Sequence, residues 1–283
     1  MTRPVLLAVA HGTAQRRGIL QLRALIEQVR SLDPGLRVEL AYVDHEPPSV
    51  SAALTALARE GADTVVVPLL IGAASHSKGD LAASVRLARA RFPGFRVRYG
   101  RPLGPHPLLL EVLAERIDAA GGSGDTPVLL VSAGSLDPDA NAEIYRTARL
   151  LWEYRGGLAP VEVAFASATG PTVAEGLSRL VRLGHEEVLV MPYFLVSGRL
   201  PDAVASEAGA GVSEAGASEA RVSVAEVLGA HPGVARVVLA RYAEVLDGEL
   251  AMNCDTCVYR APWPGSEHRV GEQQRPHAHP ADR

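Results

Sequence analysis

Lysine is nearly absent from this chain: Lys78 is the only one in 283 residues, and arginine supplies the other basic side chains. With alanine and glycine abundant, this is the codon usage of a GC-rich genome, so arginine content alone says nothing about partners. Cysteine is almost as scarce. Cys254 and Cys257 stand three apart near the end, which is not the disulfide framework of a small secreted protein. No stretch reaches the roughly 18 apolar residues that span a bilayer. Residues 1–30 lack the apolar core and small-residue cleavage site of a secretory signal. A cytoplasmic chain with no membrane partner is expected. The net charge of −4 is spread without blocks of one sign, so no nucleic-acid partner is expected either. Nucleotide signatures are missing too: no strand leads into Gly-x-Gly-x-x-Gly or a P-loop.

What is present is apolar. Hydrophobic residues make up 47% of the chain, enough for a sizeable core in one large or two ordinary domains. Val5-Leu6-Leu7-Ala8-Val9-Ala10 runs without alternation, the pattern of a strand buried on both faces of a parallel sheet. It ends on His11-Gly12-Thr13. In open α/β sheets ligands bind outside the carboxyl ends of the strands, which places His11 for chemistry; the plainer alternative is a solvated loop residue. Helical spacing of Ile19, Leu22, Ile26 and Val29 predicts a helix near 14–31. Further strands are expected at 38–43, 64–71 and 95–99, with helices across 49–60, near 79–91 and near 106–119. Such alternation argues for a parallel sheet covered by helices.

After Gly121-Gly122-Ser123-Gly124, a linker by composition, the pattern starts again. Val128-Leu129-Leu130-Val131 repeats Val5 to Ala8, Pro192 repeats Pro68, and Gly229-Ala230-His231-Pro232 repeats Gly104-Pro105-His106-Pro107. The offsets are 123, 124 and 125 residues, in order, which marks an internal duplication. An α/β protein follows, with two tandem lobes, each a parallel sheet flanked by helices, facing across a cleft. The expected divisions are 1–120, 125–250 and a Cys/His-containing flexible tail at 251–283. Residues 203–220 are low-complexity Ala/Gly/Ser/Glu and read as a frayed helix or a loop, and as mobile. The copies differ where it matters: His11-Gly12-Thr13 becomes Ala133-Gly134-Ser135, and His76 has no counterpart after Pro192. Joint loss of two histidines suggests that they work together.

His11, Asp44, Glu46 and His76 each follow a strand and fall at one edge of the first sheet. Two imidazoles and a carboxylate suit a borderline divalent ion such as Co²⁺, Fe²⁺, Ni²⁺ or Zn²⁺; metal-free acid–base chemistry is the alternative. Asp44 and Glu46 compete for the carboxylate role, with His45 as a bystander. Ser75, Ser77 and Lys78 open a helix whose free N–H groups favour an anion. His106 and His231, kept in both copies, are expected to shape helix starts. In the tail, Cys254-Asp255-Thr256-Cys257 is a dithiol, half of a zinc site or part of an iron–sulfur site, or else a free surface pair. A four-iron cluster takes four thiolates, so a cluster here would be shared between two subunits, favouring a homodimer. A histidine phosphatase would want an arginine before His11, where the chain has Ala10.

His11-Gly12-Thr13 after the first strand, Pro68-Leu69-Leu70-Ile71 running to His76, and Pro102-Leu103-Gly104-Pro105-His106-Pro107 resemble the class II chelatases. These are ATP-independent enzymes that insert cobalt or iron into sirohydrochlorin. The resemblance covers about 1–250 as two tandem lobes. The tail, Met252-Asn253-Cys254-Asp255-Thr256-Cys257 with His268, His277 and His279, is similar to that of the long cobaltochelatase form, whose cysteines are associated with an iron–sulfur centre. Many members have a glutamate where this chain has Asp44, and a longer histidine-rich stretch than the three scattered here. The resemblance implies that His11 and His76 bind the metal, Co²⁺ or Fe²⁺, which is the substrate. On that resemblance Asp44, Glu46 or a histidine released from the metal is expected to take up the two pyrrole protons, and Thr13, Ser75, Ser77, Lys78 and Arg199 to meet the eight carboxylates of the macrocycle. The tail favours cobalt; a ferrochelatase for sirohaem or a non-catalytic metal carrier are the alternatives.

Overall fold

A computed structural model describes residues 3–74, 76–214, 220–248, 257–262 and 264–273. The first half builds a parallel sheet from β1 (Val5–Ala10), β2 (Val38–Tyr42), β3 (Thr64–Pro68) and β4 (Val97–Tyr99), in the order β2-β1-β3-β4. Central β1 pairs with β2 from Leu6–Val38 to Ala10–Tyr42, and with β3 from Val5–Thr64 to Val9–Pro68. All six β1 residues are buried, as the unbroken apolar run requires of a strand covered on both faces. β3 stops at Pro68, three residues short of the expected 64–71. Proline has no N–H to add to the ladder; beyond it Leu69 N reaches the Val9 carbonyl at 2.7 Å, and the Leu70 and Ile71 carbonyls accept from Leu103 N and Gly104 N.

The second half repeats this construction with β5 (Val128–Ser132), β6 (Val161–Phe165), β7 (Glu187–Pro192) and β8 (Arg221–Val224), in the order β6-β5-β7-β8. Helices α1 (Arg16–Leu32), α2 (Val50–Glu60), α3 (Ala82–Arg91) and α4 (Pro107–Ala119) belong to the first copy of the sequence. Helices α5 (Pro138–Tyr154), α6 (Val173–Arg182), α7 (Arg199–Glu214) and α8 (Pro232–Asp247) belong to the second. A π-helix, His76–Leu81, leads into α3. His106 and His231 do shape helix starts: each ring accepts through Nδ1, from Leu108 N at 3.1 Å and from Gly233 N at 3.0 Å.

Of the frayed helix or loop expected at 203–220, the structure has the helix: α7 runs through Glu214. Val204 and Ala208 are buried in the second core, and that burial outweighs the poor helix propensity of the glycines. Residues 215–219 lie outside the described residues.

The chain forms two compact units, and they cut across the divisions expected at 120 and 250. One holds Met1–Gly104, Asp137–Asp139 and Ala235–Arg283; the other holds Pro105–Leu136 and Ala140–Val234. Helix α4 thus sits with the second sheet, where Arg116 donates to the Leu228 carbonyl at 2.8 Å. Helix α8 sits with the first. There buried Arg241 donates to the Leu103 carbonyl at 2.7 Å, Tyr242 donates to the Pro4 carbonyl at 2.7 Å, and Arg101 pairs with Glu244 at 2.8 Å. Sequence periodicity marks these helices but cannot say which sheet each one covers. The first unit also takes in part of the expected tail, with Val258 fully buried. No helix among the described residues is long and apolar enough to cross a membrane.

Candidate metal site

His11 leaves β1 at its carboxyl end, and the next residue fixes where the chain goes. Gly12 has φ +94°, and a Cβ there would lie 2.0 Å from the Asp44 carbonyl oxygen. Only glycine permits that approach. Val43 N donates to the Ala10 carbonyl and Asp44 N to the His11 carbonyl, both at 2.9 Å, so residues 43–46 run alongside the end of β1. His45, with φ 68°, turns its ring to within 6.2 Å of that of His11, centroid to centroid.

His76 arrives from the first turn of the π-helix. Its ring stands edge-on to that of His11, with centroids 4.5 Å apart. The two histidines singled out from the sequence are therefore neighbours. His76 Nδ1 lies 2.8 Å from an Asp80 carboxylate oxygen, and His11 Nδ1 lies 3.2 Å from the Gly12 carbonyl oxygen. A carbonyl and a carboxylate oxygen accept, so Nδ1 donates on both rings, and in the neutral tautomer this leaves the lone pair on Nε2. A carboxylate behind a histidine is the usual second partner of a metal-binding imidazole, fixing its tautomer and raising its basicity. Asp80 was missed from the sequence because the helix was expected to begin at 79; its i,i+4 spacing from His76 was the available signal.

The two carboxylates expected beside the histidines have these partners. Asp44 accepts from His45 N at 2.7 Å and lies 3.5 Å from His45 Nε2, while Glu46 meets Arg23 at 3.7 Å. Among the described residues, no three His, Cys, Asp or Glu side chains gather as a closed cage.

Lys78, expected at the carboxylates of a substrate, has a different position. Its ammonium is buried and donates to Asp137 and Asp139, at 2.8 Å each. Burial pulls its pKa down, but the two carboxylates outweigh that and hold it above the ordinary lysine value. Both aspartates come from the second half of the sequence, about which the local pattern near Lys78 carries no signal. Ser77 is also buried and donates to the Ala74 carbonyl at 3.0 Å, and its own carbonyl accepts from Tyr99 at 2.7 Å. Thr13 accepts from Gln15 N at 3.2 Å. Arg199 opens α7 in the other unit. Cys257 is a half-buried free thiol; Ser75 and Cys254 lie outside the described residues.

Comparison with known proteins bears on the whole chain. It is 34% identical over 265 residues to the sirohydrochlorin cobaltochelatase of Priestia megaterium, covering 90% of this chain and 84% of that one. It is 29% identical to the sirohydrochlorin ferrochelatase of the same organism, covering 82% of this chain and 86% of that one. Among solved structures, SirB from Bacillus subtilis with Fe3+ superposes with a TM-score of 0.73 at 25% identity, covering 87% of this chain and 96% of that chain. The CbiX model matches twice, over residues 5–120 and 127–245, the same two stretches that fold into sheets of identical strand order. The duplicated parallel sheet is thus accounted for by descent: the chain belongs to the CbiX family.

Proposed function

We propose that this protein is a sirohydrochlorin chelatase that inserts a divalent metal ion into the tetrapyrrole, with cobalt as its metal. The observation that carries the reading is the 4.5 Å approach of the His11 and His76 rings, with Nε2 on both as the ligating atom. Two neutral imidazoles hold Co²⁺ or Fe²⁺ well enough to position it and leave positions open to pyrrole nitrogens. Fixing ion and ring in register supplies the proximity term, and no nucleotide is required. Two pyrrole protons must leave as the metal enters. Asp44, Glu46 or an imidazole released from the metal accepts them. Thr13 is the proposed contact to macrocycle carboxylates, since Lys78 is committed to Asp137 and Asp139.

Cobalt is favoured over iron by the greater identity to the cobaltochelatase than to the ferrochelatase. The Cys254-x-x-Cys257 pair supplies two of the four thiolates of a four-iron cluster. An iron–sulfur centre there is accordingly one shared in a homodimer. The scarcity of cysteine supports a cytoplasmic enzyme.

The test is anaerobic. Protein is mixed with sirohydrochlorin and Co²⁺, and separately with Fe²⁺, while the macrocycle absorbance is followed against an enzyme-free control. Many turnovers with Co²⁺, faster than with Fe²⁺, are expected. Faster turnover with Fe²⁺ would make it a ferrochelatase, and no acceleration with either would leave a metal carrier.

A further inference from the structure

The segment that returns after α8 comes back to the π-helix. Val258 is buried to 2% exposure, and Gly271 N donates to the Tyr259 carbonyl at 3.1 Å. The Tyr259 hydroxyl lies against Gly79, only 3.1 Å from where a Cβ on that residue would sit. Gly79 is the residue before Asp80, and Asp80 is the carboxylate that holds His76 Nδ1 at 2.8 Å.

We infer that Tyr259 is a positioning residue of the metal site, supplied by the C-terminal segment, which sets the Asp80–His76 pair by packing its hydroxyl over Gly79. The missing side chain at Gly79 makes room for the phenol, which fixes the turn of π-helix on which His76 and Asp80 both stand. Burial raises the Tyr259 pKa, Arg269 lowers it, and Glu272 and Asp80 raise it further, so the net direction is up and the phenol stays protonated at neutral pH. Holding that turn in place holds the Asp80 carboxylate behind the His76 imidazole. This inference rests on the reading that His76 holds the ion.

The test uses the full chain and Co²⁺ alone as the probe, followed through its visible absorption, with Tyr259→Phe, Tyr259→Ala and His76→Ala beside the wild type. Outer partners of metal-binding histidines typically contribute 10–100-fold in affinity; for Tyr259→Phe, one step further out, a loss of about tenfold is expected. Its KM for Co²⁺ rises, its KM for sirohydrochlorin holds and its melting temperature stays within a few degrees. Wild-type Co²⁺ affinity in Tyr259→Phe, beside a His76→Ala variant that has lost binding, overturns the role of the hydroxyl. A loss in Tyr259→Ala that phenylalanine fully restores also overturns it, since ring packing then suffices. Wild-type Co²⁺ binding in His76→Ala overturns both this inference and the metal-site reading beneath it.

Discussion

A methyl group at Gly12 would stand 2.0 Å from the Asp44 carbonyl oxygen, and one at Gly134 would stand 2.1 Å from that of Ser167. Both glycines have positive φ, so alanine at either is strained as well as crowded. We expect Gly12→Ala and Gly134→Ala each to cost about 2–3 kcal/mol in denaturant melts. Their effects on metal insertion should part company. Gly12 positions His11, while the residue before Gly134 is Ala133, so at a temperature where both are folded only Gly12→Ala loses insertion. Equal activity in the two would remove the link between this turn and the site. Asp80 can be tested at the same scale: Asp80→Asn keeps the shape but removes the charge behind His76, and Co²⁺ affinity should fall 10–100-fold in a direct titration. Unchanged affinity would show that His76 needs no carboxylate behind it.

Of the elements, the π-helix His76–Leu81 carries most of what is specific to the first copy. Five of its six residues are buried, including Lys78 and Asp80. Lys78 ties the element to Asp137 and Asp139, and removing the cation of a buried ion cluster is costly because the two carboxylates stay buried beside each other without it. Lys78→Met is expected to lower stability by about 3–5 kcal/mol. In the protein that remains folded, the KM for sirohydrochlorin should not change; a raised KM with normal stability would return Lys78 to the substrate. Because its pKa is raised, the lysine contributes fully below the ordinary lysine range, and that contribution fades only as pH climbs through the higher folded value. The strands were legible in the sequence because parallel strands buried on both faces leave unbroken apolar runs such as Val5 to Ala10. The histidine pair was legible because His11 and His76 follow adjacent strands of one sheet. The partners of Lys78 were not, since Asp137 and Asp139 lie about sixty residues away in another element. Composition left α7 open between a frayed helix and a loop, and burial of Val204 and Ala208 decided for the helix.

At the scale of the whole molecule, one construction appears twice with different fates. Both sheets keep the same strand order and the same close glycine turn, but only the first has a histidine before that glycine and another on a π-helix. Each unit also takes its last helix from the other copy of the sequence, so neither copy is complete without its neighbour. The central claim is that metal transfer belongs to the His11–His76 pair of the first copy. Its most direct test is the anaerobic rate of Co²⁺ insertion into sirohydrochlorin by His11→Ala and His76→Ala, each first shown to melt like the wild type. The account predicts that either substitution reduces insertion to the enzyme-free rate. Wild-type turnover in either folded variant would contradict it and move the metal away from this edge of the sheet.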